Sequence, residues 1–398
     1  MDRESIIKKA QEEFAERIIS ELDRIEAMKQ DAEPRDFANL DKIVVGIMPG
    51  DGTGPILMEH ALRVARELVK NEIASGKIEF RTIEGMTIEN RVAKMQSLPD
   101  EVLTACKECD VLVKGPFITP RAGDGLPNLV SANSLLRRKL QLFAAVRPIR
   151  IPDKGIDWTF FRENIEGEYI LGNRGIRVGD ELAIDFKVCT RPGAERIARA
   201  AFGFARKNGK HNVSVVTKAN IVKLVDGDFL EAVHRIGENE YPEIEIREEL
   251  VDSMAAKLGS PSFMKGIDVI VLPNLYGDIV TDVAAEMQGG LGTASSSNIG
   301  SRYALFEAIH GAGLRIMQSG RGASPSIFSI VVFPAPDAPT ITQNSPLLIS
   351  KLTSFRACIS TSPDLYVFFT FLNSTYALML FLSFLKVYTY YSIYDFKR

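Results

Sequence analysis

Ile267-Asp-Val-Ile-Val-Leu-Pro-Asn-Leu-Tyr-Gly-Asp278-Ile-Val-Thr-Asp282-Val-Ala-Ala-Glu-Met-Gln-Gly-Gly-Leu-Gly292 is the stretch on which the fold turns. Ile267 to Leu272 is rich in β-branched residues and bounded by turn residues, which predicts a buried strand. Asp278 to Gln288 carries Val280, Val283, Ala284 and Met287 as an apolar stripe and stops at Gly289-Gly290, which predicts a helix. On that helix Asp278 and Asp282 share one face of the first turn. Two neighbouring anions stabilise a fold poorly but supply hard oxygen ligands for a divalent cation. Negative charge opposing the helix dipole explains the same spacing, and spacing alone favours this simpler reading.

Outward from this stretch, strand and helix patterns alternate. Residues 1–30 repeat apolar positions at helical intervals (Ile6, Ile7, Phe14, Ile18, Ile19, Leu22, Ile25), and residues 31–41 read as a linker. Lys42 to Met48 predicts a strand, Pro49 to Pro55 a Gly-rich turn and Ile56 to Lys70 an amphipathic helix. Ile78 to Ile83, Pro99 to Cys109 and Val111 to Lys114 continue the alternation. A second group opens at Asp157 to Phe161 and runs through a helix at Arg196 to Lys207 and a strand at Asn212 to Thr217. The order predicts an α/β fold with a mainly parallel sheet covered by helices.

The chain has 398 residues, enough for two domains or one large one, and a net charge of -3 with 45% hydrophobic residues, which fits a soluble globular protein. There is no basic run or basic-aromatic stripe, so no nucleic-acid partner is expected. Early Glu and Asp residues without an apolar core argue against a secretory signal or transit peptide, and a cytoplasmic location is expected. Four cysteines without a repeating pattern fit a reducing compartment. Cys106 and Cys109 form a C-x-x-C with no second pair at zinc spacing, so helix packing is the better reading.

The composition breaks near residue 327. From Phe328 onward, 71 residues hold 15 of the 33 aromatics, three Asp and no Glu, so the tail does not read as part of the same protein. Leu365 to Leu385 is 21 residues without a charge, long enough to cross a bilayer, although Asn373-Ser374-Thr375 interrupts its centre. A frameshifted or fused reading frame is the leading explanation, ahead of a membrane tail. Poor solubility and low activity of this chain are then expected, because missing closing helices leave apolar surface uncovered.

Pro49-Gly50-Asp51-Gly52-Thr53-Gly54-Pro55 sits between a strand and a helix, where a phosphate-cradling loop would be. Its spacing is not the dinucleotide fingerprint, and a tight turn without ligand explains it equally well. Ser131-Ala-Asn133 to Arg137, Arg147-Pro148-Ile149-Arg150 and Phe161-Arg162-Glu163-Asn164 bring arginines into short apolar-flanked segments. Their guanidinium forks suit carboxylates, although the spacing alone leaves a polyacid site and a solvated charged face equally open.

In chain order, Pro49 to Pro55, Lys114-Gly-Pro-Phe-Ile-Thr119, Ser131 to Arg150, Phe161 to Asn164, Asn274 to Asp278, Asn298-Ile-Gly300 and Phe306-Glu-Ala-Ile-His310-Gly311 resemble the isocitrate/isopropylmalate dehydrogenase family of β-decarboxylating enzymes. The resemblance covers residues 42–326. It implies a non-Rossmann α/β fold: a large domain from 42–150 and 273–327, a smaller inserted domain at 151–272, and a homodimer with shared active sites. Residues 1–41 are then an N-terminal helical extension and linker, and 328–398 an atypical C-terminal tail.

The resemblance also implies roles. Arg137, Arg147 and Arg162 match the substrate-carboxylate grips. Ser131 and Asn133 stand where the isocitrate branch is polar and the isopropylmalate branch apolar, which favours isocitrate. Tyr169 and Lys218 match the acid/base pair, with Lys218 reaching across the dimer. Asp252, Asp278 and Asp282 match a Mg²⁺ or Mn²⁺ site, with Asp252 supplied by the partner subunit. Lys114, Thr119, Gly289, Gly290 and Asn298 match the nicotinamide and phosphate side, and His310-Gly311 the adenine loop. Ile316 is NAD-like while Arg315 could meet a 2′-phosphate, so NAD is expected with NADP open. The family's Thr/Ser-Ala-Pro continuation is replaced here by Ala312-Gly313-Leu314.

The expected reaction is oxidative decarboxylation of isocitrate with NAD(P) and a divalent metal. Isopropylmalate, homoisocitrate or tartrate, all 2-hydroxy diacids, are the nearest competing substrates. An inactive or regulatory subunit is the competing class, and no membrane association is expected apart from the 365–385 run.

Overall fold

The segment Val269–Leu272 is buried at every position, as a strand with neighbours on both sides and helices on both faces requires. The computed structural model of the protein describes residues 3–29, 40–120, 123–172, 174–178, 180–260, 263, 266–290, 294–309 and 311–313. In chain order the elements are α1 (Arg3–Lys29), β1 (Ile43–Met48), α2 (Gly54–Leu68), α3 (Lys70–Ala74), β2 (Ile78–Thr82), α4 (Ile88–Ala93), α5 (Asp100–Lys107), β3 (Val111–Lys114), α6 (Ala132–Lys139), β4 (Ala144–Ile151) and β5 (Ile156–Glu163). There follow β6 (Ile176–Val178), β7 (Leu182–Ile184), α7 (Arg191–Lys207), β8 (Asn212–Thr217), α8 (Val225–Glu240), β9 (Glu245–Leu250), α9 (Val251–Lys257), β10 (Val269–Leu272), α10 (Asn274–Gln288), β11 (Ser295–Ile299) and β12 (Ala304–Ala308).

One ten-stranded sheet has the order β2-β1-β3-β12-β11-β4-β5-β10-β8-β9. Pairing is parallel on both flanks and antiparallel at β12–β11, β11–β4 and β4–β5 in the middle. The expected parallel sheet is therefore interrupted at its centre. The link from β4 to β5 is a single 3-10 turn at Pro152–Lys154 closed by Gly155 in the left-handed region, far too short for a parallel crossover.

Several boundaries move from the sequence expectation. The strand begins at Val269 rather than Ile267, and the helix after it begins at Asn274 rather than Asp278. Gly277 lies within this helix because it packs on Arg162; an added Cβ there would overlap the arginine side chain. Of the expected stripe, Val280 and Ala284 are buried, but Val283 is exposed together with Ile279. α7 starts at Arg191, five residues before the expected Arg196, because Thr190 accepts a hydrogen bond from the Gly193 amide at 3.1 Å and Pro192 suits the first turn.

α1 forms as expected but does not bury its apolar stripe: Ile7, Phe14, Ile18, Ile19 and Leu22 remain exposed. The half-buried face carries Ile6, Ala10, Arg17, Glu21, Arg24, Ile25 and Met28 and lies against β6. Three amides of the Gly-rich turn after β1 are taken up by the protein itself, Asp51 N by Pro116 O (2.7 Å), Thr53 N by Ala312 O (3.0 Å) and Gly54 N by Asp51 O (2.9 Å). Cys106 and Cys109 are buried in an apolar cluster with free thiols, and burial pushes the Cys106 thiol up to about 12, which fits packing rather than reactivity. Among the described residues no helix is long and apolar enough to cross a membrane. The tail from 328 to 398, with its 365–385 run, lies outside the described residues, as does the 31–39 part of the linker.

Candidate active site

The carboxyl ends of β3, β5 and β12 and the helix that follows β10 open onto one cleft of about 370 Å³, the usual place for a ligand in an α/β sheet. Lys114 comes from β3, Arg162 from β5, Glu307 from β12, and Asp278 and Asp282 from α10. Ser131, Asn133 and Arg137 enter from α6 and its cap, Arg147 from β4, and Tyr169 from the loop after β5. With Gly311, the chain thus gathers ten residues singled out in the sequence as substrate, metal, acid/base or cofactor candidates.

Arg162 is held rigidly. Its Nε and Nη2 donate to Asn274 Oδ1 at 3.0 and 2.7 Å, and its Nη1 donates to Asp278 Oδ1 at 2.5 Å. Burial, reinforced by the positive charge of Arg147, lowers its pKa to about 9. Arg147 is lowered by burial too, opposed by Asp278 and Asp282, which it meets at 3.6 and 3.3 Å. Tyr169 donates to Asp278 Oδ2 at 3.1 Å, and burial followed by the Asp278 charge raises its phenol pKa.

The dipole explanation for the paired aspartates fails here. Because α10 starts at Asn274, Asp278 and Asp282 occupy later turns, where the effect of the helix terminus has faded. Their partners are side chains across the cleft. Burial, opposed by Arg147 and reinforced by Asp278, raises the pKa of Asp282. Such a carboxylate gains from a nearby cation, so this pair of hard oxygen donors fits one end of a divalent-ion site. Among the described residues no group of three His, Cys, Asp or Glu side chains is placed to complete a metal site within the chain. Asp252 instead pairs with Lys218, Nζ to Oδ1 2.6 Å, and neither lines the cleft.

Sequence reasoning missed Glu307. It is buried between Lys114 (2.6 Å), Arg137 (3.1 Å) and the Asn298 amide (2.8 Å). Burial would raise its pKa, but Lys114 and Arg137 overcome that and hold it well below the carboxylate range. Asn298 sits behind the cleft wall, accepting from Asn164 Nδ2 at 2.8 Å, and does not line the cleft. Asn274 was also missed as a positioning residue. The only sequence signal for either was membership of a motif, since a buried acid and a buried amide leave no periodicity.

Other candidates fall elsewhere. Ser131 caps α6, accepting from Ser134 N at 3.4 Å, and Asn133 Oδ1 is buried without a hydrogen-bond partner among the described residues. Thr119 is exposed and does not line the cleft. Gly289 and Gly290 close the end of α10 with positive φ and lie off the cleft, whereas Gly311 lines it. His310, Arg315, Ile316 and Gly292 lie outside the described residues.

The cleft at the sheet's end thus carries four cationic and three anionic side chains, and the class of protein this fold and lining belong to is given by its relatives. The family description Isocitrate/isopropylmalate dehydrogenase matches residues 44–333. The chain belongs to the isocitrate/isopropylmalate dehydrogenase family, whose members are NAD(P)-dependent dehydrogenases. It is 37% identical over 273 residues to "Isocitrate dehydrogenase [NAD] subunit 2, mitochondrial" of Schizosaccharomyces pombe, covering 67% of this chain and 68% of that protein. It is 35% identical over 303 residues to the homoisocitrate dehydrogenase of Methanocaldococcus jannaschii, covering 72% and 82%. Among solved structures, isocitrate dehydrogenase from Methylococcus capsulatus superposes with a TM-score of 0.60 at 34% identity, covering 69% of this chain and 79% of that one.

Proposed function

We propose that the protein oxidatively decarboxylates isocitrate with NAD and Mg²⁺ or Mn²⁺. The observation that carries this reading is the convergence of Arg137, Arg147 and Arg162 on one cleft with Ser131, Asn133, Asp278, Asp282 and Tyr169. Three guanidinium groups suit a tricarboxylate, and the polar Ser131 and Asn133 suit a carboxylate better than an isopropyl group. Arriving carboxylates would take Arg147 and Arg162 from Asp278 and Asp282, freeing two oxygen donors for the metal. Asp252 of a second copy would complete that site. The bound ion would lower the pKa of the substrate hydroxyl and draw electron density during loss of carbon dioxide.

The chain's own residues supply the rest. The arginines fix the tricarboxylate so that the hydride on the alcohol carbon faces the nicotinamide, while the hydroxyl proton leaves to a base. Lys218 of a second copy is the proposed base. Breaking the C–C bond then leaves an enolate, and Tyr169, a phenol protonated at neutral pH whose pKa burial and Asp278 raise further, is the proposed proton donor. A homodimer is supported by exposed apolar residues beside both half-sites: Ile279 and Val283 next to Asp278 and Asp282, and Ile221 and Leu224 close to Lys218 in the chain.

The similarity to a homoisocitrate dehydrogenase supports a second reading, since homoisocitrate is a tricarboxylate one methylene longer than isocitrate. Turnover of isocitrate, homoisocitrate and isopropylmalate, each with NAD or NADP and Mg²⁺, tests the proposal. Preference for isopropylmalate would overturn the argument from Ser131 and Asn133.

A further inference from the structure

α1 lies wholly before residue 44, where the family match begins, yet it reaches the framework of the active site. Its Arg24 extends into the protein and places Nη2 2.9 Å from Glu166 Oε1, with Glu166 almost completely buried. Glu21 orients the same guanidinium at 2.9 Å. Burial would lower the pKa of Arg24, but Glu166 and Glu21 outweigh it and raise it, so the charge is secure.

Glu166 organises three elements at once. Its carboxylate accepts from Thr190 Oγ1 (2.5 Å) and Thr190 N (2.7 Å) at the start of α7. Its amide donates to Glu163 Oε1 at 3.0 Å, and its carbonyl accepts from Asn274 Nδ2 at 2.8 Å. Asn274 Oδ1 in turn takes two bonds from Arg162. Contact is therefore continuous from Arg24 through Glu166 and Asn274 to the guanidinium facing the cleft.

We infer that Arg24 is a positioning residue: it neutralises buried Glu166, fixes the carbonyl that orients Asn274, and so sets Arg162 for gripping a substrate carboxylate. The consequence for substrate rests on the function proposed above; the mechanical link does not. The polar face of α1 docks because a desolvated acid needs a counter-charge, which the helix's apolar stripe cannot provide. Without Arg24, Glu166 would remain buried beside Glu163, and the loop between them would admit water and loosen.

The test uses the full chain with R24A, R24K, the double variant R24A/E166Q, and K9A as a surface control. Hydrogen exchange read by mass spectrometry should rise about tenfold in R24A across residues 163–171 and around Asn274, with β1–β3 unchanged. Isocitrate affinity by calorimetry in Mg²⁺ should fall about tenfold in R24A and recover in large part in R24K and R24A/E166Q, since neither leaves an unpaired charge at position 166. K9A should behave as wild type. Wild-type exchange in R24A, a uniform rise over the whole chain, or loosened residues 163–171 with unchanged affinity would each overturn the inference. If the unmutated chain binds no isocitrate, the proposed function fails, and the exchange experiment alone decides whether Arg24 holds the site.

Discussion

Lys114 and Glu307 are direct neighbours across parallel strands β3 and β12, and their side chains meet at 2.6 Å in the buried wall of the cleft. Arg137 shares the same carboxylate at 3.1 Å, so one acid balances two cations. Removing it strands both. E307Q should destabilise the protein by roughly 3 kcal/mol. Because Lys114 and Arg137 depress the Glu307 pKa, its contribution is full above the unfolded value of 4.5 and declines as pH falls below it. Urea titrations at pH 7 and pH 3 check this: the gap between wild type and E307Q should narrow in acid.

Asp278 faces two arginines and a tyrosine, and Asp282 faces Arg147. If these carboxylates are freed to hold a divalent ion, D278N and D282N should each weaken Mn²⁺ binding by about tenfold or more in the presence of isocitrate. Electron spin resonance of free Mn²⁺ measures it without relying on turnover. Unchanged affinity in both variants would remove the metal from the proposed mechanism.

Glu163 is buried between Arg162, which faces the cleft, and Asn164, and its Oε2 has no hydrogen-bond partner among the described residues. Burial, then the nearby Glu166 charge, raises its pKa to about 7 against an ordinary 4.5. The folded state therefore binds the proton more tightly, so this stabilisation is full below pH 4.5 and is lost as pH rises through 7. E163Q, neutral at every pH, should flatten the fall in Tm across that window. Calorimetric scans from pH 5 to about 8 compare the two.

Ile221 and Leu224 are among the most exposed apolar side chains described, at 69% and 74%, in the segment that follows Lys218. If a second copy covers them, L224D should shift sedimentation from dimer to monomer and lower turnover with it, because Lys218 and Asp252 would lose the partner cleft. A dimer of unchanged strength would place the interface elsewhere.

The α/β alternation, the strand at 269–272 and the helix after it were legible because apolar periodicity survives in one dimension. The ordered motifs pointed to ten residues that do line one cleft. Element ends were less legible. Gly277, inside the first turns of α10, is packed against Arg162, a contact 115 positions away in the chain. The antiparallel centre of the sheet was likewise invisible, since nothing local records which strands become neighbours.

The sequence by itself determined which side chains carry charge, where apolar runs form strands and helices, and which motifs stand in family order. Tertiary structure decided that Glu307 binds Lys114 and Arg137, that Asp278 and Asp282 answer arginines rather than a helix terminus, and that α1 docks by Arg24. The reason is physical. Burial makes an unpaired charge costly, and only the folded chain reveals which charges lose water and which opposite charge lies within reach.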